Sequence, residues 1–212
     1  MHPWWVPADA VAGAVLGLLL AASMGSWAII LGQTWRLRRA QTDLQLSQAL
    51  FWQASDWPQA VQVLSDSEKE GLLRSLAQAM RPPLSGTLAA SAALPAQKER
   101  ALRDALRLAS ARLHQGLTFL ATVSASAPFV GLLGTVWGLR RAMLGIELGA
   151  WSSLERLSVP VGEALLMTAL GLMVAIPALV AYNTLSRWAR QLDAELEGFA
   201  HDLLALGTQP AD

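Results

Sequence analysis

Three stretches of this chain carry no Asp, Glu, Lys or Arg: Ala10 to Trp35, Leu113 to Leu139 and Ala164 to Ser186. Each exceeds the roughly 20 residues that an α-helix needs to cross the hydrocarbon core of a bilayer. A backbone in lipid must satisfy its own N–H and C=O groups, and a helix does so within one segment. The reading is an all-α membrane protein with three transmembrane helices and long cytoplasmic helical extensions. Charged residues make up only 15% of the 212 and fall between the runs. Sixteen basic residues balance sixteen acidic ones, so no overall field points to nucleic acid. Cysteine is absent, which excludes disulfides and thiolate metal sites.

The first run reads as an uncleaved anchor rather than a signal peptide. Met1 to Ala10 has no lysine or arginine, and the positive charge follows the run at Arg36, Arg38 and Arg39. Trp4 and Trp5 before the run and Trp35 after it suit the two interfacial belts. Basic residues near the span ends set the orientation. Arg36, Arg38, Arg39, Arg100, Arg103, Arg107, Arg112, Arg187 and Arg190 lie on one side. Arg140, Arg141 and Arg156 lie on the other, partly balanced by Glu147 and Glu155. The expected layout is a periplasmic N-terminus (1–9), spans at 10–35, 113–139 and 161–186, a cytoplasmic helical region (36–112), a periplasmic loop (140–160) and a cytoplasmic helical tail (187–212).

Pro58, Pro82–Pro83, Gly86 and Pro95 divide the 36–112 region into helical pieces. The piece that opens at Pro95 meets no breaker before Gly116 and is expected to run straight into the second span. Glu99 and Arg103 support it as an i,i+4 pair. In the tail, Trp188, Leu192, Leu196, Phe199, Leu203 and Leu206 mark one apolar face. That face needs cover, either from the 95–112 helix or from a neighbouring subunit.

On a helical wheel the second span gathers Ser124, Ala127, Pro128, Gly134, Thr135 and Gly138 within about 60° of Gly131. Phe129, Leu132, Leu133, Val136 and Trp137 occupy the remainder. In the third span Ala164, Thr168, Gly171, Ala175, Ala178 and Tyr182 share a strip within about 40° of its centre. Glu163 sits on the shoulder of that strip, about 140° from Thr168 on an ideal helix. Small faces suit close helix packing in lipid, and they also suit the wall of a pathway. No ionisable residue lies deep in any span, so a proton path would need a carboxylate lent by another chain.

The stretch APFVGLLGTVWG (Ala127 to Gly138), followed by VPVGEALLMTALGLMVAIPALVAYN (Val159 to Asn183), closely resembles the ExbB/TolQ/MotA proton-channel family. Three spans with an outside N-terminus fit the ExbB and TolQ branch, since flagellar MotA has four. The resemblance implies an inner-membrane homo-oligomer, typically a pentamer, around single-span ExbD-like or TolR-like subunits that supply a proton-carrying aspartate. A TonB-like or TolA-like protein would be the part that is driven. Thr135 corresponds to the family's threonine in GTVWG, and Glu163 and Thr168 to the glutamate and threonine in EALLxTA. Ser124, Gly131, Gly134, Gly138, Ala164, Gly171, Ala175 and Ala178 then line a pore or pack. Val159–Pro160–Val161–Gly162 and Arg140–Arg141 depart from the usual pattern and place the outer mouth in question.

The function so implied is a proton-motive-force-driven subunit of a TonB system, or of a Tol-Pal system. The competing reading from another class is a structural scaffold whose small faces only pack. No phosphate loop, HExxH pair or nucleophile elbow suggests an enzyme, and His2, His114 and His201 lack metal spacing. No cofactor, metal or nucleic acid is expected, and the surrounding lipid is a partner.

Overall fold

The computed structural model describes residues 10–81, 93–147 and 158–208. Trp4, Trp5, Pro82–Pro83, Gly86, Glu155 and Arg156 lie outside them, as does the side chain of Glu147. Six helices follow in order: α1 (Ala10–Gln53), α2 (Trp57–Ser67), α3 (Leu72–Ala79), α4 (Leu94–Leu113), α5 (Leu117–Glu147) and α6 (Ser158–Thr208). There is no strand among the described residues. Three segments, Ala10–Gln53, Leu117–Leu144 and Val159–Leu206, are long and apolar enough to cross a membrane.

The chain separates into two compact units. One holds Met1–Gly32 and Gly116–Thr184, the other Gln33–Gln115 and Leu185–Asp212. α1 and α6 contribute residues to both.

The first unit is built from the apolar parts of α1, α5 and α6. Close approaches pair Val15 with Gly134, Gly25 with Phe119 and Ile29 with Gly116, so α1 and α5 run antiparallel. Gly138 faces Ala164, Gly134 faces Met167, and Gly131 faces Thr168 and Gly171, so α5 and α6 are antiparallel too. Phe129, Leu132, Leu133 and Val136 of α5 point outward, 51–72% exposed. Leu165, Leu172, Met173, Ile176 and Val180 of α6 also point outward, 45–64% exposed. A span in lipid needs no apolar cover from protein, so these bulky faces are stable as they stand.

The second unit has the opposite logic. Leu37, Leu44, Phe51, Leu64, Leu73, Leu76, Leu102, Leu196, Phe199 and Leu203 form a buried core. Phe51 meets Phe199 edge-on with ring centroids 5.1 Å apart, and Trp57 5.9 Å away adds a second edge contact. The apolar face expected on the tail is therefore covered at Phe199 by the Phe51 and Trp52 rings of α1. Leu206, at the end of that face, stays 44% exposed.

Local signals explain the short helices. Asp56 caps α2 by accepting the N–H of Gln59 at 2.8 Å, with Pro58 in the first turn. α3 starts after Gly71, whose φ of +66° favours glycine. Its free N–H groups are capped from upstream by Glu68, which accepts from Leu73 N at 2.8 Å and Arg74 N at 2.9 Å. Burial raises the Glu68 carboxyl above its ordinary value, while those backbone hydrogen bonds pull it back.

The expectation of one unbroken helix from Pro95 into the second span is corrected. α4 ends at Leu113, and a turn over His114–Gly116 precedes α5. Gly116 has φ +80°, and a Cβ there would lie 2.9 Å from the Ile29 side chain, so both conformation and space call for glycine. The orphaned carbonyl of Leu113 accepts a hydrogen bond from the buried Gln33 amide. Arg36 donates to Gln115 Oε1 at 2.9 Å, and His114 Nε2 lies 2.7 Å from Asp193 Oδ2. The Glu99–Arg103 pair forms as expected, at 2.6 Å.

Candidate functional site

The seam between α5 and α6 holds the residues that the two sequence motifs single out. A Cβ on Gly131 would lie 2.7 Å from the carbonyl oxygen of Met167, and one on Gly171 2.7 Å from that of Ala127. One on Gly138 would lie 2.8 Å from the Ala164 side chain. These glycines let two backbones come closer than any larger residue permits. Ala164, Ala175 and Ala178 are all buried, at 2%, 4% and 0% exposure. The small faces of the two spans thus meet each other within one protomer along Gly131, Gly134, Gly138, Ala164 and Gly171. Ser124, lower on α5, is half-buried and donates to its own helix at Ala121 O, 2.9 Å away.

In the middle of this seam Thr135 hydrogen-bonds directly to Thr168 across the helix pair. Thr135 Oγ1 also lies 3.1 Å from Ala164 O and 3.2 Å from Gly131 O. Thr135 is buried and Thr168 half-buried. Close backbone contact makes this possible: Gly131 sits one turn from Thr135 and Gly171 nearly one turn from Thr168, so nothing bulky separates the hydroxyls.

Glu163 is not brought to the threonine pair. It is exposed, in the first turns of α6, and its neighbour Ala164 supplies the contact to Thr135. α6 continues through Pro177 without interruption, so no break there turns Glu163 toward Thr168. At the far end of α5 the Arg140 guanidinium lies over the Trp137 ring, 5.0 Å from its centroid. Sequence reasoning missed Glu68, Gly71 and the His114–Asp193 contact. Of these only Gly71 carries a local signal, a glycine between two short helical patterns.

Three apolar spans, two of them joined by a glycine-lined, hydroxyl-bearing seam, define a polytopic α-helical membrane protein. The sequence pattern of the MotA/TolQ/ExbB proton channel family matches residues 67–198, and the chain belongs to that family. Among its relatives is the biopolymer transport protein ExbB of Xanthomonas campestris pv. campestris, 37% identical over 207 residues, covering 93% of this chain and 82% of the relative. The ExbB protein of Neisseria gonorrhoeae is 44% identical over 102 residues, 48% of this chain and 46% of that one. The Tol-Pal system protein TolQ of Pseudomonas aeruginosa is 30% identical over 204 residues, 94% of this chain and 88% of that one. The family is one of channels rather than enzymes.

Proposed function

We propose that this chain is an ExbB-like subunit of a proton-driven motor in the bacterial inner membrane. Its N-terminus faces the periplasm and its C-terminus the cytoplasm. The chain assembles as a homo-oligomer, a pentamer by family resemblance, around an ExbD-like single-span partner whose aspartate carries the proton. Proton movement down a potential of about 100 mV releases roughly 2.3 kcal/mol per charge. That free energy drives a TonB-like protein and, through it, transport across the outer membrane.

The observation that carries this reading is the Thr135–Thr168 hydroxyl pair in a seam otherwise made of Gly and Ala. The third span carries no Asp, Glu, Lys, Arg or His from Ala164 to Ser186, and its Tyr182 lies near the end of the run, so on this reading the titrating carboxyl comes from the partner. The orientation rests on the excess of arginine beside one set of span ends. Two of these pack against span-end tryptophans, Arg39 over Trp35 at 5.1 Å and Arg38 over Trp188 at 5.9 Å.

The test is proton flux into proteoliposomes holding the complex with its ExbD-like partner. Thr168→Val is expected to lower flux at least tenfold while leaving the complex assembled. Equal flux would remove Thr168 from the pathway. A TolQ-like role in envelope integrity is the second reading, favoured by the near full-length similarity to the Pseudomonas TolQ. Complementation separates the two: rescue of TonB-dependent uptake supports the first, and rescue of envelope integrity alone supports the second. The scaffold reading predicts full energised activity after Glu163→Ala and Thr135→Ala.

A further inference from the structure

Thr135 and Thr168 are not equivalent. Thr135 is enclosed between α5 and α6, at 8% exposure. Thr168 is half-buried, and the residues around its open side, Leu165, Ala169 and Leu172, are exposed. A group carried by another chain therefore reaches Thr168 more readily than Thr135.

Counting hydrogens separates their roles further. A threonine hydroxyl has one proton to donate and two lone pairs to accept with. Thr135 Oγ1 is near three oxygens, and two of them, Gly131 O and Ala164 O, can only accept. Two arrangements satisfy this geometry. In one, Thr135 donates to a carbonyl and accepts from Thr168, which leaves Thr168 only lone pairs for an outside group. In the other, Thr135 donates to Thr168, whose own proton is then free to point outward. Neither carbonyl is orphaned by the change, because each lies inside a helix and already accepts an N–H from four residues on. Conversion needs only rotation about two C–O bonds, and no covalent bond changes.

We infer that the pair is a two-state hydrogen-bond reader: Thr168 accepts from a protonated carboxyl group and donates to an ionised one, and Thr135 is the positioning residue that makes both states available. The inference rests on the proposed function, which supplies the titrating carboxyl. Other charges near the pair are few. On α5 the nearest in sequence are Arg140 and Arg141; on α6 it is Glu163, five residues before Thr168; α1 has none from Ala10 to Trp35.

The experiment measures proton flux against pH, and the infrared carboxyl band of the same complexes without a gradient, for wild type and Thr135 variants with the ExbD-like partner. In Thr135→Val, Thr168 still donates to the ionised carboxyl, but its proton has no Thr135 oxygen to occupy when it must accept. The protonated carboxyl loses support, so the midpoint of both profiles moves to lower pH by about one unit, one hydrogen bond's worth. On the alkaline side of the midpoint flux falls about tenfold. Thr135→Ser keeps the hydroxyl and should match wild type in both readouts. If Thr135→Val does not assemble, Thr135→Cys, whose thiol is a weak acceptor, should shift the midpoints the same way by less. Unshifted midpoints in Val or Cys, or a Val-like shift in Ser, would overturn the reader while leaving the proton-channel reading intact. A wild-type complex that conducts no protons would overturn both.

Discussion

The two units of this chain hold their helices together by opposite means. In the seam of α5 and α6 the contact residues are Gly131, Gly134, Gly138, Ala164 and Gly171, with Met167 against Gly134, while Phe129, Leu132, Leu133, Leu165 and Leu172 point away. In the second unit Phe51, Leu196, Phe199 and Leu203 fill the interior, beside buried small residues such as Ala77 and Ala189. The difference follows from the solvent. Where lipid surrounds a helix, burying a leucine gains almost nothing, and association rests on close backbone contact and on hydrogen bonds such as that between Thr135 and Thr168. Where water surrounds it, burial of each large apolar side chain stabilises by about 1.5–3 kcal/mol. One region is therefore damaged by adding atoms and the other by removing them.

The largest test of that contrast removes bulk from the second unit. Phe199 is fully buried against Phe51, so Phe199→Ala should destabilise this unit by about 3–5 kcal/mol. Hydrogen exchange in detergent should show lost protection over 33–81, 93–115 and 185–208, with the α5–α6 seam still protected. Loss spread evenly over both units would break the comparison.

The next adds a single carbon to the seam. Gly131→Ala places a Cβ 2.7 Å from Met167 O and 3.1 Å from the Thr168 Cα, so the helices must part, at a cost of about 1–3 kcal/mol. Thermal unfolding in detergent measures it, with Gly17→Ala as the control. Gly17 has no atom within 4 Å of a built Cβ, and its substitution should change stability by under about 1 kcal/mol. Equal effects at the two glycines would mean that the seam is not sterically tight.

The smallest effect concerns pH. Glu68 is buried, and desolvation raises its folded-state pKa, with partial relief from the hydrogen bonds of Arg74, Leu73 and Leu72. A raised carboxyl binds its proton more tightly in the folded state. Its favourable contribution is complete below the unfolded value near 4.5 and is lost as pH rises through the folded value. Glu68→Gln cannot ionise and keeps one of the two acceptors on the α3 N-terminus, so near neutrality it should cost about 1 kcal/mol. Wild type should gain stability relative to the variant as pH falls toward that window, read as the difference between two curves of melting temperature against pH. A difference that stays flat would show that Glu68 is not penalised by burial.

How much of this was legible in the sequence depended on whether the signal was local. The spans were, because charge is excluded from lipid over a whole helix length and leaves a gap that can be read directly. The small faces of α5 and α6 were also legible, because a 3.6-residue period is fixed by backbone geometry: Gly131, Gly134, Thr135, Ala164 and Gly171 all fall on the contact side. The turn at His114–Gly116 was misread as a continuous helix. Its glycine was visible, but the Ile29 contact and the Gln33 cap on Leu113 that fix the break come from a helix 80 residues away.

By itself the sequence determined which segments are long and apolar enough to cross a membrane, which sides of the second and third are slim, and to which family the motifs belong, since each is set by solvent or by residues adjacent on one helix. Only the tertiary structure decided that the slim sides of α5 and α6 face each other, with Thr135 enclosed and Thr168 at the edge. The helical wheel already turned Glu163 away from Thr168, and the structure leaves it exposed. A helical period records which residues share a face and carries no information about what that face meets. That depends on how closely two backbones approach, which distant glycines set together.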